Sequence, residues 1–185
     1  MHRVSRTELI DLTKGWIAIS FAFAIALHGL SFSFEFLTVA AIAALTVGVG
    51  FIFHELAHKI VAQRYGCWAE FRADDKMLLF ALLLSVFGFI FAAPGAVIID
   101  GVVTKKENGL IAVVGSWTNL VLAVLFLALM PVIPVVASYG VRINAWLAIF
   151  NMIPLWILDG KKVFVWNKLV WGATVVIGIG LLFVV

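Results

Sequence analysis

Met77-Leu78-Leu79-Phe80-Ala81-Leu82-Leu83-Leu84-Ser85-Val86-Phe87-Gly88-Phe89-Ile90-Phe91-Ala92-Ala93 is an apolar run with one polar side chain, Ser85. If this run crosses a bilayer, everything after it lies on the far side; if it dips in and returns, everything after it stays on the near side. The basic residues arbitrate. With a returning run, Arg3, Arg6, Lys14, Arg64, Arg72, Lys76, Lys105, Lys106, Lys161, Lys162 and Lys168 share the side of the N-terminus. Lys59 then lies in a helix near that side, and Arg142 alone faces the other way. A spanning run would carry Lys105, Lys106, Lys161, Lys162 and Lys168 across and mostly erase the asymmetry. Cytoplasmic loops carry the excess of Lys and Arg, so the expectation is a re-entrant run, with the N-terminal side cytoplasmic.

Composition supports a lipid solvent. Of 185 residues, 64% are hydrophobic and 12% charged, against roughly 45–50% and 25% in soluble domains. Too little polar surface remains to cover a water-soluble globule. The 13 Lys and Arg, for a net charge of +3, fall in short clusters between apolar runs. They read as topology signals and not as a nucleic-acid-binding stripe. A single cysteine, Cys67, excludes an intrachain disulfide and a four-cysteine metal site. Any metal must therefore be held by His and carboxylates.

Stretches near the length of about 20 residues that a membrane helix needs are Trp16 to Phe34, Phe36 to Ala62, Leu110 to Met130 and Lys168 to Val185. A fifth, Arg142 to Leu158, is shorter and carries Asn144, Asn151 and Pro154. After Pro94-Gly95, residues Ala96 to Thr104 place β-branched side chains either side of Asp100-Gly101, a strong short-hairpin signal. The expected architecture is an all-α polytopic membrane protein of about five transmembrane helices plus a re-entrant apolar segment with a short β-hairpin. Residues 1–185 are expected to form a single membrane-embedded domain. A secretory signal cleaved after Ala24-Ile25-Ala26 is disfavoured, because the apolar stretch runs on to Phe34. Trp16, Trp146 and Trp171 read as interface anchors.

Phe53-His54-Glu55-Leu56-Ala57-His58 holds H-E-x-x-H inside the second apolar run. Residues four apart share a helix face, so both imidazoles can reach one Zn²⁺, with Glu55 placed to handle a water proton. An ionisable side chain at bilayer depth costs about 2.5 kcal/mol or more and is a functional candidate by default. Catalytic zinc generally takes three protein ligands, so another carboxylate is needed. Glu8, Asp11 and Glu35 flank the first span; Glu70, Asp74, Asp75 and Glu107 lie in polar connections; Asp100 has its turn. Asp159 remains. It closes Asn151-Met152-Ile153-Pro154-Leu155-Trp156-Ile157-Leu158-Asp159-Gly160, where Pro154 cannot donate to the carbonyl of Phe150 and should open the helix. The competing reading is a solvated helix end beside Lys161 and Lys162. With the re-entrant topology, Asp159 and the histidine pair fall on the same side.

His54-Glu55-x-x-His58 in one apolar segment and Asn151-x-x-Pro154-x-x-x-Leu158-Asp159-Gly160 in a later one resemble the two signature motifs of the site-2 protease family of intramembrane zinc metalloproteases. Ala93-Pro94-Gly95-Ala96 and Gly115-Ser116-Trp117-Thr118-Asn119 add to the likeness, which covers about residues 37–165. It implies a minimal, archaeal or bacterial, member engaged in regulated intramembrane proteolysis of transmembrane protein substrates. It implies Zn²⁺ on His54, His58 and Asp159, Glu55 as general base and acid, and Asn151 holding or polarising the scissile carbonyl. Asn119 would line the site or lock helices together. Trp156 and Ile157 stand where many members carry further prolines, and no PDZ-like or nucleotide-binding module is evident. The strand expected over Val97, Ile98 and Ile99 could catch an unwound substrate by β-augmentation. Two other classes stay open: a membrane-embedded H-E-x-x-H protease acting on soluble or lipidated peptides with a Glu as third ligand, and a non-catalytic protein whose zinc staples helices.

Overall fold

The computed structural model describes residues 4–31, 33–90, 94–155 and 158–184. Ser5 caps the first helix by accepting from Glu8 N, and α1 runs from Arg6 to His28, stopping at Gly29 with φ +81°. Arg6, Glu8, Asp11 and Lys14 are thus part of the helix. Ser33 caps α2 (Phe34–Ala43), which continues through a π-helical turn, Ala44–Gly48, into α3 (Val49–Arg64). The π turn is where α1 touches. Trp16 Nε1 donates to Ala44 O at 3.0 Å, and a Cβ on Gly48 would lie 2.3 Å from that same nitrogen. Glycine is needed there for the close approach.

The short strand and the Met77–Ala93 run are linked. β1 (Trp68–Ala73) pairs antiparallel with β2 (Gly95–Asp100), from Trp68 opposite Asp100 to Ala73 opposite Gly95. Between them lies α4 (Asp75–Val86), capped by Asp74. Asp74 N donates to Pro94 O at 3.1 Å, so the intervening segment leaves and returns at one point. Twelve helical residues span about 18 Å, well short of the roughly 30 Å hydrocarbon layer. The hairpin expected within residues 96–104 does not form. Asp100 ends β2, Gly101 turns with φ +150° against Cys67, and Thr104 is spent capping the next helix with a Thr104–Glu107 capping box. The true partner strand precedes α4, beyond the reach of a local turn rule. Ala93, Trp156 and Ile157 lie outside the described residues.

α5 (Lys105–Ala128) packs against α3 and against α6 (Pro134–Asn151). α6 differs from the expected Arg142–Leu158. Pro134 starts it eight residues earlier, at the first helical position where a missing N–H costs nothing, and it ends before Pro154. The Phe150 carbonyl that Pro154 cannot serve accepts from Ile153 N at 3.1 Å. Asp159 therefore begins a separate helix, α7 (Asp159–Trp166), followed by Asn167-capped α8 (Lys168–Leu182). Trp171 Nε1 donates to Met152 O at 2.7 Å, and Trp146 meets Phe23 of α1 edge to face. These indoles, like Trp16, fasten helices to one another. Among the described residues three helices are long and apolar enough to cross a membrane, Arg6–His28, Phe34–Arg64 and Lys105–Ala128, and they fit a membrane protein. The main core, including Val47, Phe51, Phe71, Ile143 and Leu147, sits where the long helices meet β1.

α1 is also tied to the sheet by charge. Glu8 and Lys59, both buried, form an ion pair, and Phe71 N donates to Glu8 Oε1 at 3.1 Å. Ser5 Oγ donates to Glu70. That hydroxyl foremost, and the Arg72 guanidinium after it, hold the Glu70 carboxyl below the usual carboxylate range against the opposing effect of burial. Removing one member of a buried pair strands the other, a loss of about 3 kcal/mol or more, whereas apolar replacement of both can be neutral. Glu8→Ala is thus expected to lower the thermal unfolding midpoint in detergent more than the double change Glu8→Met, Lys59→Met. The reverse order would show that the pair does not fasten α1.

Candidate metal centre

His54 and His58 project from one face of α3, with ring centroids 4.6 Å apart. The break after α6 and the start of α7 bring Asp159 to them. Asp159 Oδ2 lies 3.5 Å from His54 Nε2 and 3.0 Å from His58 Nε2. Ligand atoms of the three residues all lie within 4.8 Å of one another, and no other His, Cys, Asp or Glu group of this kind occurs among the described residues. The approach depends on Gly160, where a Cβ would lie 2.2 Å from the Met152 carbonyl.

Hydrogen bonds behind the rings decide which nitrogens face inward. His58 Nδ1 lies 2.6 Å from Ile111 O. A carbonyl only accepts, so Nδ1 carries the proton and Nε2 keeps its lone pair. His54 Nδ1 lies 2.6 Å from Asn119 Oδ1, and Asn119 Nδ2 donates to Gly50 O at 3.2 Å, which turns the amide oxygen towards the ring. Both Nε2 atoms, the ones left to meet an ion, thus converge on a carboxylate oxygen. Lys162 Nζ donates to the other oxygen, Oδ1, at 3.2 Å. Two neutral imidazoles and one carboxylate with outer partners in place form a donor set that fits a divalent transition-metal ion. Room for it comes from Gly115, where a Cβ would lie 2.5 Å from His58 Nε2 and 2.6 Å from His54 Nε2.

A cavity of about 80 Å³ adjoins the triad, enough for a few waters. Glu55 is buried and lines it, as do Asn119, Asn151 and Lys162. Asn151 Nδ2 donates to Leu147 O at 3.0 Å in its own helix, which leaves its second amide hydrogen available. Val97 and Ile99 line the cavity with Gly95 and Ala96, whereas Ile98 points to the other face and is exposed. Pro154 is exposed and acts by ending α6. Sequence reasoning missed the Ile111 carbonyl, which no side-chain pattern reveals, and the part played by Lys162, read as a topology signal and as a neighbour in the competing reading of Asp159 as a solvated helix end. Gly115 was quoted as part of G-x-x-x-N, but its contact with the imidazoles needed the helix packing. Gly115→Ala should leave helix content intact and weaken metal retention roughly tenfold or more. Undiminished metal per chain by mass spectrometry would disprove the inward geometry.

No family model and no solved structure matches the chain. Among curated proteins, "Putative zinc metalloprotease MJ0611" of Methanocaldococcus jannaschii is 42% identical over 179 residues, covering 92% of this chain and 90% of that relative. Likeness of this degree along nearly the whole length establishes kinship: the chain belongs to the same metalloprotease family as that archaeal relative.

Proposed function

We propose that this protein is an intramembrane zinc endopeptidase of the site-2 protease type, cleaving peptide bonds within or next to transmembrane segments of membrane-anchored proteins. The observation that carries the reading is the convergence of both Nε2 lone pairs and Asp159 beside Glu55, on a helix apolar enough to cross a membrane. The archaeal relative's name agrees with zinc. In this reading the chain is a single domain of about five spans with segment 74–94 re-entrant, and its N-terminus and site face the cytoplasm. The paired ends of β1 and β2 and the clustering of Lys and Arg support that topology.

His54, His58 and Asp159 would hold the ion. Bound there, zinc would supply Lewis acidity that lowers the pKa of water towards about 7. Glu55 takes the proton of the attacking water and returns it to the leaving amine, the usual work of a general base and acid. Asn151 donates its remaining amide hydrogen to the scissile carbonyl as negative charge develops on its oxygen. The third ligand favours Asp159 over a glutamate, since it is the carboxylate that meets both imidazoles.

A helical peptide bond must be unwound before attack, and β2 offers a strand edge beside the cavity. Phe71 N–H is turned to Glu8, away from β2. The Phe71–Val97 and Ala69–Ile99 pairs are therefore the non-hydrogen-bonded ones, and the N–H groups of Val97 and Ile99 face the open edge. Val97→Pro removes one outward donor without touching the ladder to β1. It should slow cleavage at least several-fold with metal content unchanged; equal loss of both would count against strand addition.

The decisive experiment incubates detergent-purified wild type and Glu55→Gln, each assayed for zinc, with labelled single-span substrates. Cleavage should fall by about 10²–10⁴-fold in the variant while zinc stays at one per chain. A folded, zinc-loaded Glu55→Gln that cleaves at the wild-type rate would return the site to a structural staple.

A further inference from the structure

We infer that Asn144 is a positioning residue of the metal centre, acting through Asn119 on His54; this rests on the metalloprotease reading. Asn144 lies in α6, fully buried, and touches neither the triad nor the cavity. Its amide has one orientation. Nδ2 donates to Gly140 O at 2.9 Å, one turn back in its own helix, so Oδ1 is turned across to α5. There it accepts from Asn119 Nδ2 at 3.1 Å. The other Asn119 amide hydrogen goes to Gly50 O on α3, and Asn119 Oδ1 accepts from His54 Nδ1.

The series therefore runs Gly140 O, Asn144, Asn119, His54, each link joining a donor to an acceptor. Reversing the Asn119 amide would set its oxygen against Asn144 Oδ1 and Gly50 O and its NH₂ against a ring nitrogen that must itself donate. Two acceptors on two different helices thus forbid that flip, and Asn144 supplies the one made by a side chain. The consequence reaches the ion: a fixed Asn119 oxygen keeps the proton on His54 Nδ1 and the lone pair on Nε2. Packing holds the junction closed, because a Cβ on Gly50 would lie 2.4 Å from Asn144 Oδ1. A polar staple between α5 and α6 would serve stability at many positions along the pair. This one ends on a ligand.

A staple and a positioning residue differ in what their loss changes. Zn²⁺ and Co²⁺ affinities would be measured on the full chain in detergent by competition with a chromophoric chelator, with the Co²⁺ absorption bands recorded alongside. Variants are Asn144→Leu, which keeps the branched shape, Asn144→Ala, which disturbs the helix least, Asn119→Leu, and the double change at 119 and 144. Both Asn144 variants should bind roughly tenfold more weakly with altered Co²⁺ bands, while the double variant should bind no more weakly than Asn119→Leu alone. Wild-type affinity in either folded Asn144 variant, or losses that simply add in the double variant, overturns the inference and leaves the metalloprotease reading standing. A wild type that takes up neither ion overturns both.

Discussion

Two imidazoles can offer lone pairs to one ion only if the proton on each far nitrogen is taken by a fixed acceptor, and for two buried rings that acceptor must come from the protein. α5 meets this demand with a single stripe. Ile111, Gly115 and Asn119 follow one another at intervals of four, on one helix face. The first gives a backbone carbonyl to His58, the last a side-chain oxygen to His54, and the glycine between them leaves the space into which both Nε2 atoms look. α3 supplies the ligands, but α5 determines which way they point.

The remaining elements bring up Asp159 and the rest of the cavity wall. Pro154 ends α6 early, Gly160 lets the chain pass against Met152, and Asp159 arrives as the first residue of α7 with one oxygen on Lys162 and the other on the imidazoles. On the opposite wall β2 borders the cavity, and β1 is fixed from behind by Glu8 and Ser5 of α1. Each contributor to the site is thus anchored by a polar contact to a neighbouring segment. That matters in lipid, where helices gain little from apolar burial against each other.

Much of this was legible in the residues. Side chains four apart on a helix need no tertiary information, so the histidine pair could be read directly, and elimination among ten carboxylates led to Asp159. Lysine and arginine placement led to the expectation that segment 77–93 returns, and the pairing of β1 with β2 on either side of α4 agrees with it. What escaped was whatever depends on long-range pairing. Asp100-Gly101 has the form of a hairpin turn, yet β2 pairs with a strand on the far side of α4. Glu8 read only as a flank of the first span because its partner Lys59 lies 51 residues away. Asn119 was read as either lining the site or locking helices together, and its bonds to Asn144 and Gly50 do the second while its bond to His54 serves the first.

X-ray absorption at the zinc edge on detergent-purified wild type tests the account most directly. It should reveal two imidazole nitrogens and oxygen donors at about 2.0–2.2 Å with no sulfur, and the imidazole scattering should vanish when His54 and His58 are both replaced. A sulfur shell, or a nitrogen shell that survives their loss, would place the ion elsewhere and contradict the arrangement from which the proposed chemistry follows.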